Sequence, residues 1–162
     1  PEDIYEKILA SLESKGIRVV VDATKDLLLN VLKYHPFLIK PNNHELGEMF
    51  GTVCKTDEDI VHYAKKLQEK GAVNVLISMA GDGAILITED GQNIKMGTPK
   101  GKVVNSVGAG DSMVAGFITG YIRGGNYEEA LKSGTAAGSA TAFSEGLASL
   151  EMYEKMLKQI TE

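Results

Sequence analysis

This sequence of 162 residues contains one cysteine, no tryptophan and only four prolines. The lone thiol of Cys54 excludes a disulfide within the chain, and so low a cysteine content favours a reducing compartment, the cytoplasm. Long apolar runs are missing too, since no stretch approaches the roughly 18 residues that a membrane-spanning helix requires. The composition therefore argues against a disulfide-stabilised domain and against a membrane span.

Positive charge is also limited, with 17 lysines and arginines against 22 acidic residues and a net charge of -5. Because the basic residues form no cluster, nucleic acids and anionic membranes are not expected partners. The length suffices for one well-packed domain but not for two ordinary ones, so we predict a single domain over residues 1–162. The chain begins at Pro1 without a methionine and runs directly into a helical pattern, as expected of a piece of a longer polypeptide.

The first half of the chain alternates between helical and strand-like patterns. Short apolar runs predict buried strands at residues 19–21, 37–39 and 75–77. Helical periodicity predicts helices at residues 2–15, 26–34, 43–50 and 57–70. Glycines suited to helix C-caps follow at Gly16, Gly51 and Gly71. This alternation predicts an α/β fold with a mostly parallel sheet and right-handed crossovers.

The pattern changes after residue 83. Two strand-like segments, 84–88 and 93–98, are joined by the turn Glu89-Asp90-Gly91-Gln92 and predict an antiparallel hairpin. Helical patterns then occupy residues 110–123, 127–143 and 150–160. The second half is therefore expected to add a hairpin and a group of helices to the α/β alternation.

The segment NSVGAGDS, Asn105 to Ser112, leads into the first of these helices. The small residues Gly108, Ala109 and Gly110 would let backbone N–H groups point outward at the helix start, where unpaired donors and the helix dipole attract anions. Asp111 in the first turn could orient and deprotonate a hydroxyl that attacks a bound phosphoryl group. An ordinary glycine-rich helix start, with the aspartate as a capping residue, fits the same spacing.

The segment KPNNHE, Lys40 to Glu45, follows a predicted strand at its carboxyl end, where ligands bind in α/β sheets. Lys40 could contact phosphates, and Asn42 and Glu45 offer oxygen ligands to Mg²⁺, directly or through water. The structural alternative is that Pro41 ends the strand and that Asn42 and Glu45 form a capping box for the next helix.

The segment SMAGDGA, Ser78 to Ala84, is a glycine-containing turn between two strands. Gly81 and Gly83 could let an adenine ring or a phosphate approach the backbone, although a plain β-turn explains them nearly as well. Neither a Rossmann fingerprint nor a Walker A motif occurs, which argues against a P-loop enzyme.

Other residues have simple structural explanations. The small-residue segment from Ser133 to Phe143 predicts a helix packed closely on a neighbour, or alternatively one that leaves room for adenine. The three histidines have no zinc-like spacing. Cys54 is expected to be a semi-buried structural thiol rather than a nucleophile.

In this order, KPNNHE, SMAGDGA and NSVGAGDSMVAGF resemble segments of the PfkB/ribokinase family of carbohydrate kinases. The resemblance extends over essentially the whole chain but only over the second half of such an enzyme. It implies a ribokinase-like three-layer α/β/α fold, with the N-terminal half and the small β lid missing. It also implies ATP as a substrate, Mg²⁺ as a cofactor, and a parent enzyme that dimerises through that lid.

The resemblance assigns roles to individual residues. Asp111 would be the catalytic base, and the backbone of Gly108, Ala109 and Gly110 would form the anion hole. Asn42 and Glu45 would position Mg²⁺. Residues expected to bind the nucleotide are Lys40, Ser78, Gly81, Gly83, Asn105, Gly138 and Ser139.

Within the family, VVVDATKDLL and FLIKPNNHELGEMFG are similar to the branch that phosphorylates sugar phosphates. The implied reaction is ATP-dependent conversion of fructose 1-phosphate to fructose 1,6-bisphosphate, with tagatose 6-phosphate as the alternative substrate. A further alternative is an inactive nucleotide-binding fragment. Two residues depart from the family pattern. Asn105-Ser106 stands in place of Asp-Thr, which argues against a ribokinase-like monovalent-cation site, and Ala80 stands where relatives often have glycine.

Overall fold

The computed structural model describes residues 3–161, except for the side chain of Thr161. Its strands are β1 Val20–Val21, β2 Leu38–Ile39, β3 Asn74–Ser78, β4 Ala84–Ile87 and β5 Asn93–Met96. Its α-helices are α1 Ile4–Leu12, α2 Lys25–Val31, α3 Asn43–Met49, α4 Asp57–Glu69, α5 Ala109–Gly124, α6 Tyr127–Ala142 and α7 Leu150–Thr161. Each predicted helix and strand is present, with ends that differ by a few residues.

The five strands form one sheet in the order β1-β2-β3-β4-β5. β1 pairs with β2 and β2 pairs with β3 in parallel, with Val21 opposite Ile39 and Ile39 opposite Val75. Five residues separate β3 from β4 and β4 from β5, which is too short for a parallel crossover. These neighbours are therefore hairpins, and the predicted mixed sheet is confirmed. Side chains of β2, β3 and β4 are almost all buried, as expected of strands covered on both faces.

Several helices begin with side-chain caps. At α3, Asn42 Oδ1 accepts the N–H of Glu45 at 2.8 Å, and Glu45 Oε2 accepts the N–H of Asn42 at 2.9 Å. Thr56 and Asp59 form the equivalent box at α4. Each box pairs backbone donors that a helix start would otherwise leave unpaired. The structural alternative for KPNNHE is thus present in the fold.

By contact density the chain divides into two compact units. The first comprises residues up to Ser78 together with Ile85–Asn93, and the second comprises Met79–Ala84 together with the chain from Ile94 onward. The first unit contains the parallel strands with α1 to α4. The second contains α5, α6 and α7. That the chain is a single domain stays a prediction.

The second unit is organised by close packing of α5 on α6. A Cβ atom at Gly116 would lie 2.6 Å from the carbonyl oxygen of Ser133, and one at Gly134 would lie 2.9 Å from that of Met113. Helix backbones can approach so closely only where side chains are missing at the crossing. The prediction that the segment from Ser133 to Phe143 packs closely on a neighbour is confirmed.

The other face of α6 packs on α7. Ala136, Ala140 and Met156 form its buried cluster, and Ser133 Oγ bonds to Tyr153 Oη at 2.9 Å. Over the described residues, no helix combines the length and apolarity that a bilayer crossing demands.

Candidate active site

The start of α5 is an open helix N-terminus. Gly108 occupies the N-cap with φ +79°, a left-handed conformation that glycine adopts without steric cost, and no side chain caps the helix. The N–H of Ala109 donates to the carbonyl oxygen of Ser106 at 3.2 Å. Among the described residues, the N–H groups of Gly110 and Asp111 have no acceptor. Two donors at the positive end of the helix are therefore available to an anion.

Asp111 places a carboxylate beside these donors. Its side chain is exposed in the first turn of α5. Within residues 3–161 it makes no ion pair or side-chain hydrogen bond. The capping alternative from the sequence thus lacks its defining hydrogen bond, and the carboxylate is free to accept a proton from a ligand.

Hydrogen bonds hold the loop that leads into α5. Asn105 Nδ2 donates to the carbonyl oxygen of Glu145 at 3.2 Å, and Asn105 Oδ1 accepts the N–H of Val107 at 3.0 Å. The N–H of Asn105 donates to the carbonyl oxygen of Ala142 at 3.2 Å. Because both ends of this side-chain amide are used inside the protein, Asn105 braces the loop. Its predicted contact with the nucleotide stays a prediction.

Thr141 supports the first turn of α5 from the opposite side. Its side chain is buried, and its Oγ1 lies 2.8 Å from Ser112 Oγ and accepts the N–H of Ala148 at 3.4 Å. Gly138 lies one turn earlier, and a Cβ there would come within 3.1 Å of the carbonyl oxygen of Ala109. Gly138 therefore lets α6 pass directly beneath the start of α5. Ser139 is buried next to it.

In the first unit, four predicted residues lie at the carboxyl ends of β2 and β3 and at the start of α3: Lys40, Asn42, Glu45 and Ser78. Lys40 follows β2 and is 7% exposed, and its Nζ lies 3.5 Å from Asp22 Oδ2. Asn42 is the N-cap of α3 and forms a β-bridge with Ser78 at the end of β3. The capping box uses one oxygen of Glu45, which leaves the other, Oε1, for a ligand.

The turn between β3 and β4 lies in the second unit. Gly83 adopts φ +93°, and a Cβ there would clash with the carbonyl oxygen of Met96. The open side of Gly83 is thus occupied by the backbone of β5, and its predicted contact with the nucleotide stays a prediction. Gly81 has open space around it, and its carbonyl oxygen accepts Thr98 Oγ1 at 2.7 Å. Ala80, the departure noted above, has φ +49°, a conformation that suits glycine better.

The histidines and Cys54 were the remaining candidates for metal binding or nucleophilic chemistry. Within the described part of the chain, no three histidine, cysteine or acidic side chains cluster as a metal site would require. His35 Nδ1 lies 3.0 Å from the carbonyl oxygen of Gly71. Cys54 is buried and unpaired, and burial, followed by the charge of Asp59, raises the pKa of its thiol. A raised pKa disfavours the nucleophilic thiolate.

Two contributors were missed at the sequence level. Asp22 directly follows the first predicted strand, and its pairing with Lys40 follows from strand register. Thr141 was seen only as part of a small-residue helix, and no motif signals its contact with Ser112.

Comparisons with known proteins identify the family of the chain. Residues 1–152 match the family model described as pfkB family carbohydrate kinase. The chain is 49% identical over 160 residues to a 1-phosphofructokinase of Bacillus subtilis (strain 168), covering 99% of the chain and 52% of the relative. It is 38% identical over 161 residues to a D-tagatose-1-phosphate kinase of Bacillus licheniformis, covering 99% and 53%.

A solved structure supports the same fold. Phosphofructokinase-2 from Escherichia coli in complex with substrates and products superposes with a TM-score of 0.91 at 26% identity, covering all of this chain and 53% of that one. The chain spans about half the length of the curated relatives it matches. With a family match over nearly its whole length and the ribokinase-like fold, the chain belongs to the pfkB family of carbohydrate kinases.

Proposed function

We propose that this chain supplies the nucleotide-binding and phosphoryl-transfer residues of an ATP-dependent sugar-phosphate kinase. The observation that supports the proposal is the start of α5, where two N–H groups and the exposed carboxylate of Asp111 lie side by side without a partner among the described residues. Phosphoryl transfer requires donors for the charge on the phosphoryl oxygens and a base for the attacking hydroxyl, and this helix start offers both.

In the proposed reaction, Asp111 accepts the proton of the sugar hydroxyl as the oxygen attacks the γ-phosphorus of ATP. The new phosphorus–oxygen bond forms as the bond between the γ-phosphorus and the bridging oxygen breaks, and ADP leaves. The N–H groups of Gly110 and Asp111 stabilise the negative charge of the transferring group. The proton then passes from Asp111 to solvent, which balances the reaction and restores the base.

The residues at the start of α3 fit a water-mediated Mg²⁺ ion. Asn42 and Glu45 each commit one oxygen to the capping box, so the second carboxylate oxygen of Glu45 is the main donor left. Mg²⁺ bound to nucleotides keeps several waters and takes few protein ligands, which agrees with so small a donor set. When bound, the ion would neutralise phosphate charge.

We propose fructose 1-phosphate as the substrate, with phosphorylation at the C6 hydroxyl to give fructose 1,6-bisphosphate. The 49% identity to a 1-phosphofructokinase favours it. The relative that acts on D-tagatose 1-phosphate supports a second candidate, the same sugar phosphate with the opposite configuration at C4. Tagatose 6-phosphate, the alternative from the sequence, is the third substrate to assay.

Replacing Asp111 tests the proposal. In the full-length protein, Asp111→Asn and Asp111→Ala are each expected to lower ATP-dependent turnover of fructose 1-phosphate by about 10²–10⁴-fold, the usual contribution of a general base. Binding of ATP, measured by calorimetry, is expected to persist. The control is Glu128→Gln, which removes an exposed acid from the first turn of α6. Substantial activity in both Asp111 variants would refute the base assignment. ATP binding without turnover by the unaltered chain would favour the inactive nucleotide-binding fragment.

A further inference from the structure

The buried ammonium of Lys40 is the starting observation. Lys40 is one of very few charged residues in the described chain that lie in the buried class, at 7% exposure. An ammonium group removed from water is costly unless a counter-charge and hydrogen-bond acceptors lie close to it. The group that compensates the buried charge of Lys40 therefore has to be identified.

The group that faces Lys40 is the carboxylate of Asp22. Its Oδ2 lies 3.5 Å from Lys40 Nζ, and its side chain is 34% exposed. The pairing is a consequence of sheet register. Val21 at the end of β1 lies opposite Ile39 at the end of β2, so the next residue of each strand, Asp22 and Lys40, lies opposite the other. Parallel neighbours thus present opposite charges at the carboxyl edge of the sheet, where ligands bind in this class of fold.

We infer that Asp22 is a positioning residue, which holds the Lys40 ammonium where it can meet the phosphates of ATP. This inference rests on the proposed function. Asp22 itself carries negative charge and would repel the nucleotide, so its benefit has to act through Lys40. Without this carboxylate, the flexible four-carbon stem of Lys40 has no charged group in the described ion pairs to fix its direction.

The sign of one substitution separates this role from simple charge repulsion. If Asp22 acted only as a nearby negative charge, Asp22→Asn would strengthen binding of a polyanionic nucleotide. If Asp22 positions Lys40, the same change weakens binding, because the ammonium is no longer held in place. Calorimetry with a non-hydrolysable ATP analogue and Mg²⁺ measures the affinity without requiring turnover. We expect the dissociation constant of Asp22→Asn to be at least tenfold larger than that of the wild type.

A double-mutant cycle identifies the route of the effect. Lys40→Met keeps the stem and removes the charge, and it should weaken binding at least as much as Asp22→Asn. The double variant Asp22→Asn/Lys40→Met should match Lys40→Met within twofold, because Asp22 has nothing left to position. The exposed pair Lys25–Glu48, 3.2 Å apart in the same unit, provides the control. Glu48→Gln should change affinity by less than twofold.

Every outcome is informative. Unchanged or tighter binding by Asp22→Asn overturns the positioning role. A further loss when Asp22→Asn is added to Lys40→Met also overturns it, because Asp22 would then act on the nucleotide or its metal directly. Wild-type affinity in Lys40→Met refutes the phosphate contact of Lys40 while leaving the role of Asp111 intact. If the unaltered chain binds no nucleotide, the proposed site fails as a whole, and the positioning role fails with it.

If Asp22→Asn fails to fold, two other variants still test the positioning role of Asp22. The double variant leaves no unpaired ammonium and must bind as Lys40→Met does. Asp22→Glu keeps the charge but moves it outward by one methylene, so its affinity should lie between those of the wild type and the double variant. Affinity in Asp22→Glu no higher than that of the double variant, or a double variant weaker than Lys40→Met, would overturn the inference.

Discussion

The starts of α3 and α5 solve the same problem in opposite ways. Both helices begin with backbone donors that no earlier turn can pair. At α3, Asn42 and Glu45 close the end with a reciprocal capping box. At α5, Gly108 provides no side chain, and two N–H groups stay open among the described residues. A closed end stabilises its helix, whereas an open one keeps its donors for a ligand. The open end is thus the better candidate for binding a transferred phosphoryl group.

The open end has to be stabilised in another way. α5 packs on α6 over its length through Gly116 and Gly134, and Gly138 admits α6 beneath its first turn. Asn105 and Thr141 brace the loops on either side. Packing and loop bonds therefore replace the cap at α5, whereas α3, only seven residues long, relies on its cap.

The largest expected effect comes from blocking the packing of α5. In Gly116→Ala, the new Cβ would lie 2.6 Å from the carbonyl oxygen of Ser133 and 2.7 Å from the Cβ of Ala137. The helices have to separate, which should cost about 1–3 kcal/mol of unfolding free energy. Urea denaturation measures it. Gly97→Ala, where the new atom meets nothing within 4 Å, is the control. Equal stability of the two variants would show that α5 does not depend on this contact.

The next effect separates the conformation of the open end from its binding role. Gly108 and Gly91 have φ values of +79° and +84°, and neither has a neighbour that would clash with a Cβ. Alanine at either position should cost about 1–2 kcal/mol for the left-handed backbone. Only Gly108→Ala should also weaken binding of ATP, measured by calorimetry, because it alone disturbs the amides of α5. Equal ATP affinity in both variants would contradict an anion site at this helix.

The helices and strands could be predicted from the sequence because their positions depend mainly on patterns of neighbouring residues. The apolar runs at β2 and β3 and the glycines at Gly16 and Gly51 fixed most element positions within a few residues. The motif that opens α5 was likewise visible from its small residues and Asp111. Such patterns depend on chain neighbours alone, so they can be interpreted without a structure.

The rest depends on contacts between distant segments. Gly83 could be taken for a ligand-binding glycine, but the backbone that occupies its open side belongs to Met96. Asn105 offered no sign that its amide would bond to the carbonyl of Glu145, forty residues away. Asp22 faces Lys40 only because the register of β1 and β2 places them opposite each other. Sequence patterns do not encode register or packing partners directly, and these roles needed coordinates.

A smaller effect tests the closed end. Asn42→Ala removes the cap of α3 and Thr56→Ala removes that of α4, and each should cost about 1 kcal/mol of stability. The two variants are matched because each loses the N-cap side chain of a capping box. Only Asn42→Ala is expected to raise the Mg²⁺ concentration needed for ATP binding, because Asn42, unlike Thr56, is proposed to help position that ion. If Thr56→Ala shifted the Mg²⁺ requirement equally, the effect would reflect stability rather than metal binding.

The smallest expected effect is the pH dependence of the closed end of α4. Hydrogen bonds from the N–H groups of Lys55 and Thr56 lower the pKa of Asp59. A carboxyl group whose pKa is lower in the folded state stabilises the protein above its unfolded value, near 3.9. That contribution is lost as the pH falls through the folded value. Asp59→Asn should therefore be less stable than the wild type at pH 7, and the difference should shrink at pH 3. Urea denaturation at both pH values measures it, and a difference that stayed constant would show that the charge of Asp59 contributes nothing to this cap.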